Sequence, residues 1–212
     1  MEITWYGHAC FRIREMGITI VADPYDREIG YTLPRIRADV VTISHSHEGH
    51  NCPRGFRGSP RVLGCAGEYE IGGVFITAVL TFHDAVQGQE RGQNIVFVYD
   101  FDGLTVCHLG DLGHVLTQLD VETLDEVNVL LVPVGGGSTL GAAQATEVIG
   151  LLEPNVVIPM HYQTEGLERS LASVSPFLKA MGVGNVEPQE TFKITSNRLP
   201  EGPQVVLLQP RQ

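Results

Sequence analysis

Three histidines, His45, His47 and His50, crowd into six positions directly behind the apolar run Val40-Val41-Thr42-Ile43. The chain has 8 histidines in 212 residues, and this cluster constrains the reading of all the others. A strand sends alternate side chains to the same side, so His45 and His47 leave the strand end together. His50 follows a turn at Gly49 and can meet an ion from the other direction. Histidine is the commonest metal ligand, and the pattern reads as a metal site that performs hydrolysis. The bland alternative is a polar surface loop.

Two related arrangements do not fit. A zincin helix needs His-Glu-x-x-His, with its histidines one helical turn apart. Here His47-Glu48-Gly49-His50 is one residue short, and Gly49 is a poor helix former. Zinc nucleobase deaminases need Pro-Cys-x-x-Cys, and the chain contains no Cys-x-x-Cys.

The rest of the chain reads as strand-rich. Short apolar runs separated by turn residues predict strands at Ile3–Trp5, Cys10–Arg14, Ile18–Ala22, Val40–Ser44, Arg61–Leu63, Glu70–Ile71, Val74–Leu80, Asn94–Tyr99, Leu104–Leu109, Val129–Val134, Val156–Met160, Phe192–Ile194 and Val205–Leu208. Asp100-Phe101-Asp102-Gly103 predicts a hairpin. Helices are predicted at Gly141–Leu152, ended by Pro154, and from about Leu167 to Met181, capped by Gly182 and kinked or split at Pro176. A short helix is expected near Val121–Leu124.

A net charge of −11 argues against a nucleic-acid backbone or an anionic membrane as partner. No apolar run approaches the roughly 18 residues of a membrane helix. The first residues carry neither the basic region nor the apolar core of a signal peptide. With four cysteines at unpaired spacings (Cys10, Cys52, Cys65, Cys107), this points to reduced thiols in a cytoplasm. Cys52 is open to two readings, a metal thiolate or a packed thiol. Oligomeric state is left open, a homo-oligomer included.

His-x-His-x-x-His resembles the signature of the metallo-β-lactamase superfamily, usually His-x-His-x-Asp-His. The resemblance continues in order along nearly the whole chain, through Thr81-Phe82-His83-Asp84, Cys107-His108-Leu109-Gly110-Asp111 and Val157-Ile158-Pro159-Met160-His161-Tyr162. It is strongest with small metal-dependent hydrolases similar to L-ascorbate-6-phosphate lactonase. The resemblance implies a single domain over residues 1–212 with a four-layer αβ/βα sandwich and metals at the edge between its sheets.

It also implies roles. His45, His47 and His83 would hold one ion; His50 and His161 would hold a second, with Asp111 bridging. An open position on such an ion suits a reactive water, so the catalytic group would be metal-bound water with Asp111. Zinc is the first expectation, with manganese, iron and nickel compatible with mixed His/carboxylate ligands. The departure is Gly49, where relatives place an Asp ligand; it predicts a weaker second site or a one-metal enzyme that Gly49→Asp would reinforce. Glu48 is the candidate substitute. Asp23 is expected to hold a ligand histidine, and His8 to line the site or serve structure. His108 and His114 read as structural.

For substrate contacts, Arg91 offers a guanidinium to a phosphate or carboxylate. Gly136 and Gly137 precede the alanine-rich helix and could present amides to an anion, or simply form a tight loop. The expected activity is hydrolysis of an ester, lactone or phosphodiester of a small, anionic metabolite. The rival readings are a degenerate, non-catalytic metal- or metabolite-binding member, motivated by Gly49, and a nuclease, which the acidic balance opposes.

Overall fold

The computed structural model describes residues 1–211. Two mixed sheets face each other. The first has the order β12-β1-β2-β3-β4-β5, with β1 Glu2–Trp5, β2 Phe11–Glu15, β3 Ile18–Ala22, β4 Val40–Thr42, β5 Arg61–Leu63 and β12 Phe192–Lys193. The second has the order β13-β11-β10-β9-β8-β7-β6, with β6 Gly67–Ile71, β7 Val74–Phe82, β8 Gln93–Asp100, β9 Thr105–His108, β10 Val129–Pro133, β11 Val156–Met160 and β13 Gln204–Val205.

Each sheet is antiparallel on one side and parallel on the other. The pairs β3–β4 and β4–β5 are parallel, as are β9–β10 and β10–β11. Parallel neighbours bring their carboxyl ends to one edge, so the segments after β9 and β11 emerge at the same edge of the second sheet, facing the segment after β4 of the first. β10 and β11 are buried throughout (Val-Leu-Leu-Val-Pro and Val-Val-Ile-Pro-Met), as expected of strands covered on both faces.

The core between the sheets takes Ile3, Trp5, Phe11, Ile13, Ile20 and Val40 from the first, and Val74, Ile76, Phe97 and Tyr99 from the second. Phe97 and Tyr99 stack with centroids 6.1 Å apart, and the Tyr99 hydroxyl meets Thr42 Oγ1 across the seam at 2.6 Å. Ile95 N–H donates to the Ser44 carbonyl at 2.8 Å. These contacts pin the end of β4 to β8, immediately before His45.

The expected two-sheet sandwich with helices outside is what the chain adopts. α1 Gln118–Leu124 runs against β7, α2 Ala142–Leu152 against β10, and α3 Ser175–Ala180 packs on α2. The first sheet is covered differently. Its outward residues Val21 and Val41 pack under a tyrosine-rich loop layer of Tyr6, Tyr25, Ile29, Tyr31 and Leu167, which includes the 3₁₀ turn Arg27–Ile29. Among the described residues, no helix is long and apolar enough to cross a membrane.

One predicted element is corrected. The helix expected from Leu167 to Met181 exists only as α3, with Pro176 in its first turn. Proline lacks the N–H and fixes φ, so it starts a helix where it cannot continue one. The Gly182 cap is present, with φ +66° and Val183 N–H on the Leu178 carbonyl at 2.9 Å. Upstream, residues 163–174 form an irregular arm. Gln163 N–H donates to Ala172 O and Ala172 N–H to Gly135 O, at 2.9 and 3.0 Å. The apolar spacing of Leu167 and Leu171 reflects their packing against the tyrosine layer.

Candidate metal centre

The end of β4, the end of β7, the turn after β9 and the end of β11 converge on one cavity of about 710 Å³. Asp111 lies at its centre, buried. Its Oδ2 is 3.4 Å from His50 Nε2, 3.4 Å from His83 Nε2 and 3.8 Å from His45 Nε2, while Oδ1 is 3.3 Å from His161 Nε2. His45, His47 and His83 bring one ligand atom each within 4.8 Å of one another, and so do His8, His50 and His161. The structure thus brings together all six residues expected from sequence as ligands and places His8 beside them.

The chain itself orients these rings. Asp23 accepts from His50 Nδ1 at 2.9 Å and from Ser44 N–H and Oγ–H at 2.7 and 2.5 Å. Ser44 Oγ in turn lies 2.9 Å from His45 Nδ1, so one buried carboxylate sets two rings, one directly and one through a serine. His83 Nδ1 faces the Ser138 carbonyl at 3.1 Å. In each ring Nδ1 is engaged by the chain and Nε2 is turned toward the cavity, the arrangement that fixes ligand histidines. Asn94 holds the other side: its Oδ1 accepts from Asp111 N–H at 2.9 Å, and its Nδ2 donates to Thr81 Oγ1 and Leu109 O.

Charge and burial suit cations. Burial holds His45 down at about 3 and pushes His8 and His83 below the usual imidazole range, leaving neutral lone pairs. Burial would raise Asp111 and Asp23, but the surrounding histidines outweigh it and hold both carboxyls below their ordinary value. For His50 burial is outweighed by Asp111 and Asp23, so its pKa is raised.

The residues fit a metal on a separate test. His8 Nδ1, His45 Nε2, Asp111 Oδ1 and His161 Nδ1 are buried without a hydrogen-bond partner. Each such atom costs about 1–3 kcal/mol unless something satisfies it; two of them, His45 Nε2 and Asp111 Oδ1, belong to the pairs that meet in the cavity, and an ion there would satisfy both.

Several expected roles move. Glu48 does not reach the cluster: it is exposed, with Oε2 3.8 Å from Arg169 at the cavity rim, because the turn at Gly49 aims it outward. Cys52 lies in a separate surface depression beside Tyr25 and Arg54, and all four cysteines are free. Gly137 lines the cavity, but Gly136 does not; it closes a tight turn, with its N–H on Leu140 O and its carbonyl accepting from Thr139 N–H. The cavity lining includes no residue of α2, so this turn serves to bring Ser138 to His83. His108 bridges Ala9 O and Gly110 N–H, and His114 accepts from Phe82 N–H; both are structural.

Arg91 and Arg169 stand on the cavity wall. Arg91 sits on a loop gathered by Asp84, whose carboxylate accepts four amides, from Val86, Gly88, Glu90 and Arg91, at 2.7–3.0 Å. Burial alone would raise Asp84; these amides outweigh it and hold its carboxyl at about 2. Since the folded pKa is depressed, the cap's contribution is complete above about pH 4 and is lost only as pH falls through the folded value. Sequence reasoning missed Arg169, because apolar spacing placed it in a helix, and missed Ser44 and Ser138, whose roles depend on apposition.

Close backbone contacts hold the rim. A Cβ on Gly135 would fall 2.1 Å from the His161 carbonyl. Gly135→Ala should therefore lower stability by about 1–3 kcal/mol and cut bound metal, as read by urea denaturation and elemental analysis.

The fold and site together define a two-sheet sandwich with a histidine- and aspartate-lined metal centre at its seam. A family model described as a β-lactamase superfamily domain matches residues 2–161, and the chain belongs to that family. A crystal structure from Thermotoga maritima, described as a candidate Zn-dependent hydrolase of the metallo-β-lactamase superfamily, is 43% identical with a TM-score of 0.82, covering 98% of this chain and 97% of that one. A UPF0173 protein of Pyrococcus abyssi is 28% identical over 92% of this chain and 100% of its own length. A UPF0173 metal-dependent hydrolase of Archaeoglobus fulgidus is 27% identical over 86% of this chain and 93% of its own.

Proposed function

We propose that the protein is a cytoplasmic metal-dependent hydrolase acting on an ester, lactone or phosphodiester of a small anionic molecule. The observation that carries this reading is the pairing, in one cavity, of a His/Asp ion cluster with two guanidiniums, in a chain whose net charge is −11. The relatives named as metal-dependent hydrolases support the reaction class, and the free thiols suit a reducing compartment.

His45, His47 and His83 would hold one ion, and His50 and His161 another, with Asp111 between them. A divalent ion supplies Lewis acidity and water that ionises near neutral pH, pKa about 7. The protein's own part is positional. Asp23, Ser44 and Ser138 keep the Nε2 lone pairs pointed at the cavity. Arg91 and Arg169 would anchor the substrate's anionic group on the wall, leaving its scissile bond over the cluster. Zinc, manganese, iron and nickel all remain compatible with this ligand set.

The test is hydrolysis of a panel of phosphodiesters, lactones and carboxylic esters, before and after chelation and after reloading with each metal. Activity on at least one class, lost on chelation and regained on reloading, is the expected result. Persistent inactivity of fully loaded protein would overturn the reading in favour of a non-catalytic metal binder. Arg91→Ala should raise KM for an anionic substrate about tenfold with little change in kcat, the loss of one charge-assisted contact. Asp84→Asn should raise KM similarly by releasing the loop, with faster amide exchange at residues 86–91.

A further inference from the structure

Resting on the metal-hydrolase reading, we propose that His8 is a ligand of the second ion and takes the place of the carboxylate that residue 49 lacks.

The argument begins with space. Gly49 is buried, with φ +93°, and a Cβ there would meet Ile29 Cγ2 at 3.0 Å and His8 Nε2 at 3.2 Å. The imidazole of His8 lies in tight contact with the point where a side chain on residue 49 would begin. Its ring centroid is 4.2 Å from that of His161 and 4.6 Å from that of His50, and the three rings can each offer one atom within 4.8 Å of the others.

The second argument is chemical. His8 is 4% exposed, and its Nδ1 has no hydrogen-bond partner. His108, which serves structure, is by contrast bonded at both ring nitrogens. His8 is also held in place at a cost. Its backbone is left-handed, φ +53°, and its carbonyl accepts both Trp5 Nε1–H and His161 N–H at 3.0 Å. Non-glycine residues stay in that region only where the surroundings over-determine them. The hydrogen bond from His161 ties the two rings to a common frame.

The other replacements fail on position, since Glu48 faces Arg169 and Cys52 opens elsewhere. With His8 included, each ion would have three imidazoles, and Asp111 would be the one carboxylate shared. Such a nitrogen-rich second site favours zinc, cobalt or nickel over manganese or magnesium. It also leaves the centre more positive by about one charge than an aspartate at position 49 would, which suits an anionic substrate.

The experiment is metal stoichiometry and stepwise affinity, by elemental analysis and chelator competition, for wild type, His8→Gln, Gly49→Asp and the double variant, with His47→Ala as the first-site control. Wild type should bind two ions per chain and His8→Gln one, its second-ion affinity falling by more than about 100-fold, beyond the range of a residue that only orients ligands. Gly49→Asp alone should not raise metal content, because its side chain collides with His8, whereas the double variant should regain the second ion. In wild-type protein loaded with ¹¹³Cd and labelled with ¹⁵N-histidine, a scalar coupling to His8 should be present, a readout that survives a misfolded variant.

Two ions in His8→Gln with affinity within about tenfold of wild type, or no cadmium coupling to His8, would overturn the proposal. One ion in wild type, lost in His47→Ala, would overturn it too while leaving the hydrolase reading intact. No ion in wild type would remove both.

Discussion

Asp111→Ala should empty the centre: bound metal falls below the detection limit of elemental analysis after desalting, and hydrolysis drops by on the order of 10³-fold. Each oxygen of this carboxylate faces a different ligand group, Oδ2 toward His45, His50 and His83 and Oδ1 toward His161, at 3.3–3.8 Å. It is the single anion that both groups share. Two dications bound only by imidazoles would repel each other with nothing between them, so both sites weaken together. His83→Ala, by contrast, should strip one site and leave the other titratable. Stepwise affinities separate these outcomes; Asp111→Ala protein that retains one tightly bound ion would show that the carboxylate does not bridge.

Asp23→Ala should come next in size, although Asp23 already spends both of its oxygens on protein groups. Removing it frees His50 to flip tautomer and leaves Ser44 Oγ without its acceptor, so His45 loses its anchor as well. Metal affinity should fall by about 10- to 100-fold at both sites. Stability of the metal-free protein should fall by about 3–5 kcal/mol, the usual loss when one partner of a buried charged pair is deleted. Urea denaturation in chelator measures the second effect, and chelator competition the first. Ser44→Ala supplies the internal control: His50 keeps its carboxylate, so the affinity loss should be confined to the site that contains His45.

Most strands were legible because they are short apolar runs between turn residues, and β3, β5 and β11 start and stop where the pattern says. The convergence of His45, His47, His50, His83, Asp111 and His161 was legible through the resemblance to the metallo-β-lactamase signature, whose residues stand at strand ends. What stayed hidden depends on contacts distant in sequence. Leu167 and Leu171 imitate a helical face because both pack beneath the tyrosine layer, and the proline that looked like a kink marks the true start of α3. Glycine at position 49 read as a missing ligand, since nothing in the local sequence reveals that a turn more than forty residues earlier delivers an imidazole to that spot. Ser138 acts through its backbone carbonyl, which no side-chain pattern reports.

The seam location of the centre has a consequence for assembly. His8, His45, His47 and His50 hang from one sheet, while His83, Asp111 and His161 hang from the other, and the stretch from His8 to His161 must be complete before the set exists. An ion binding there acts as a clasp between two halves that otherwise hold by apolar contact and a few hydrogen bonds across the seam. A clasp of this kind cannot fasten on a nascent chain, and it rewards only the finished docking of the sheets. Scarcity of metal would then be felt first as a loosening of the seam, with the edges at β4, β9 and β11 breathing together while each sheet stays intact.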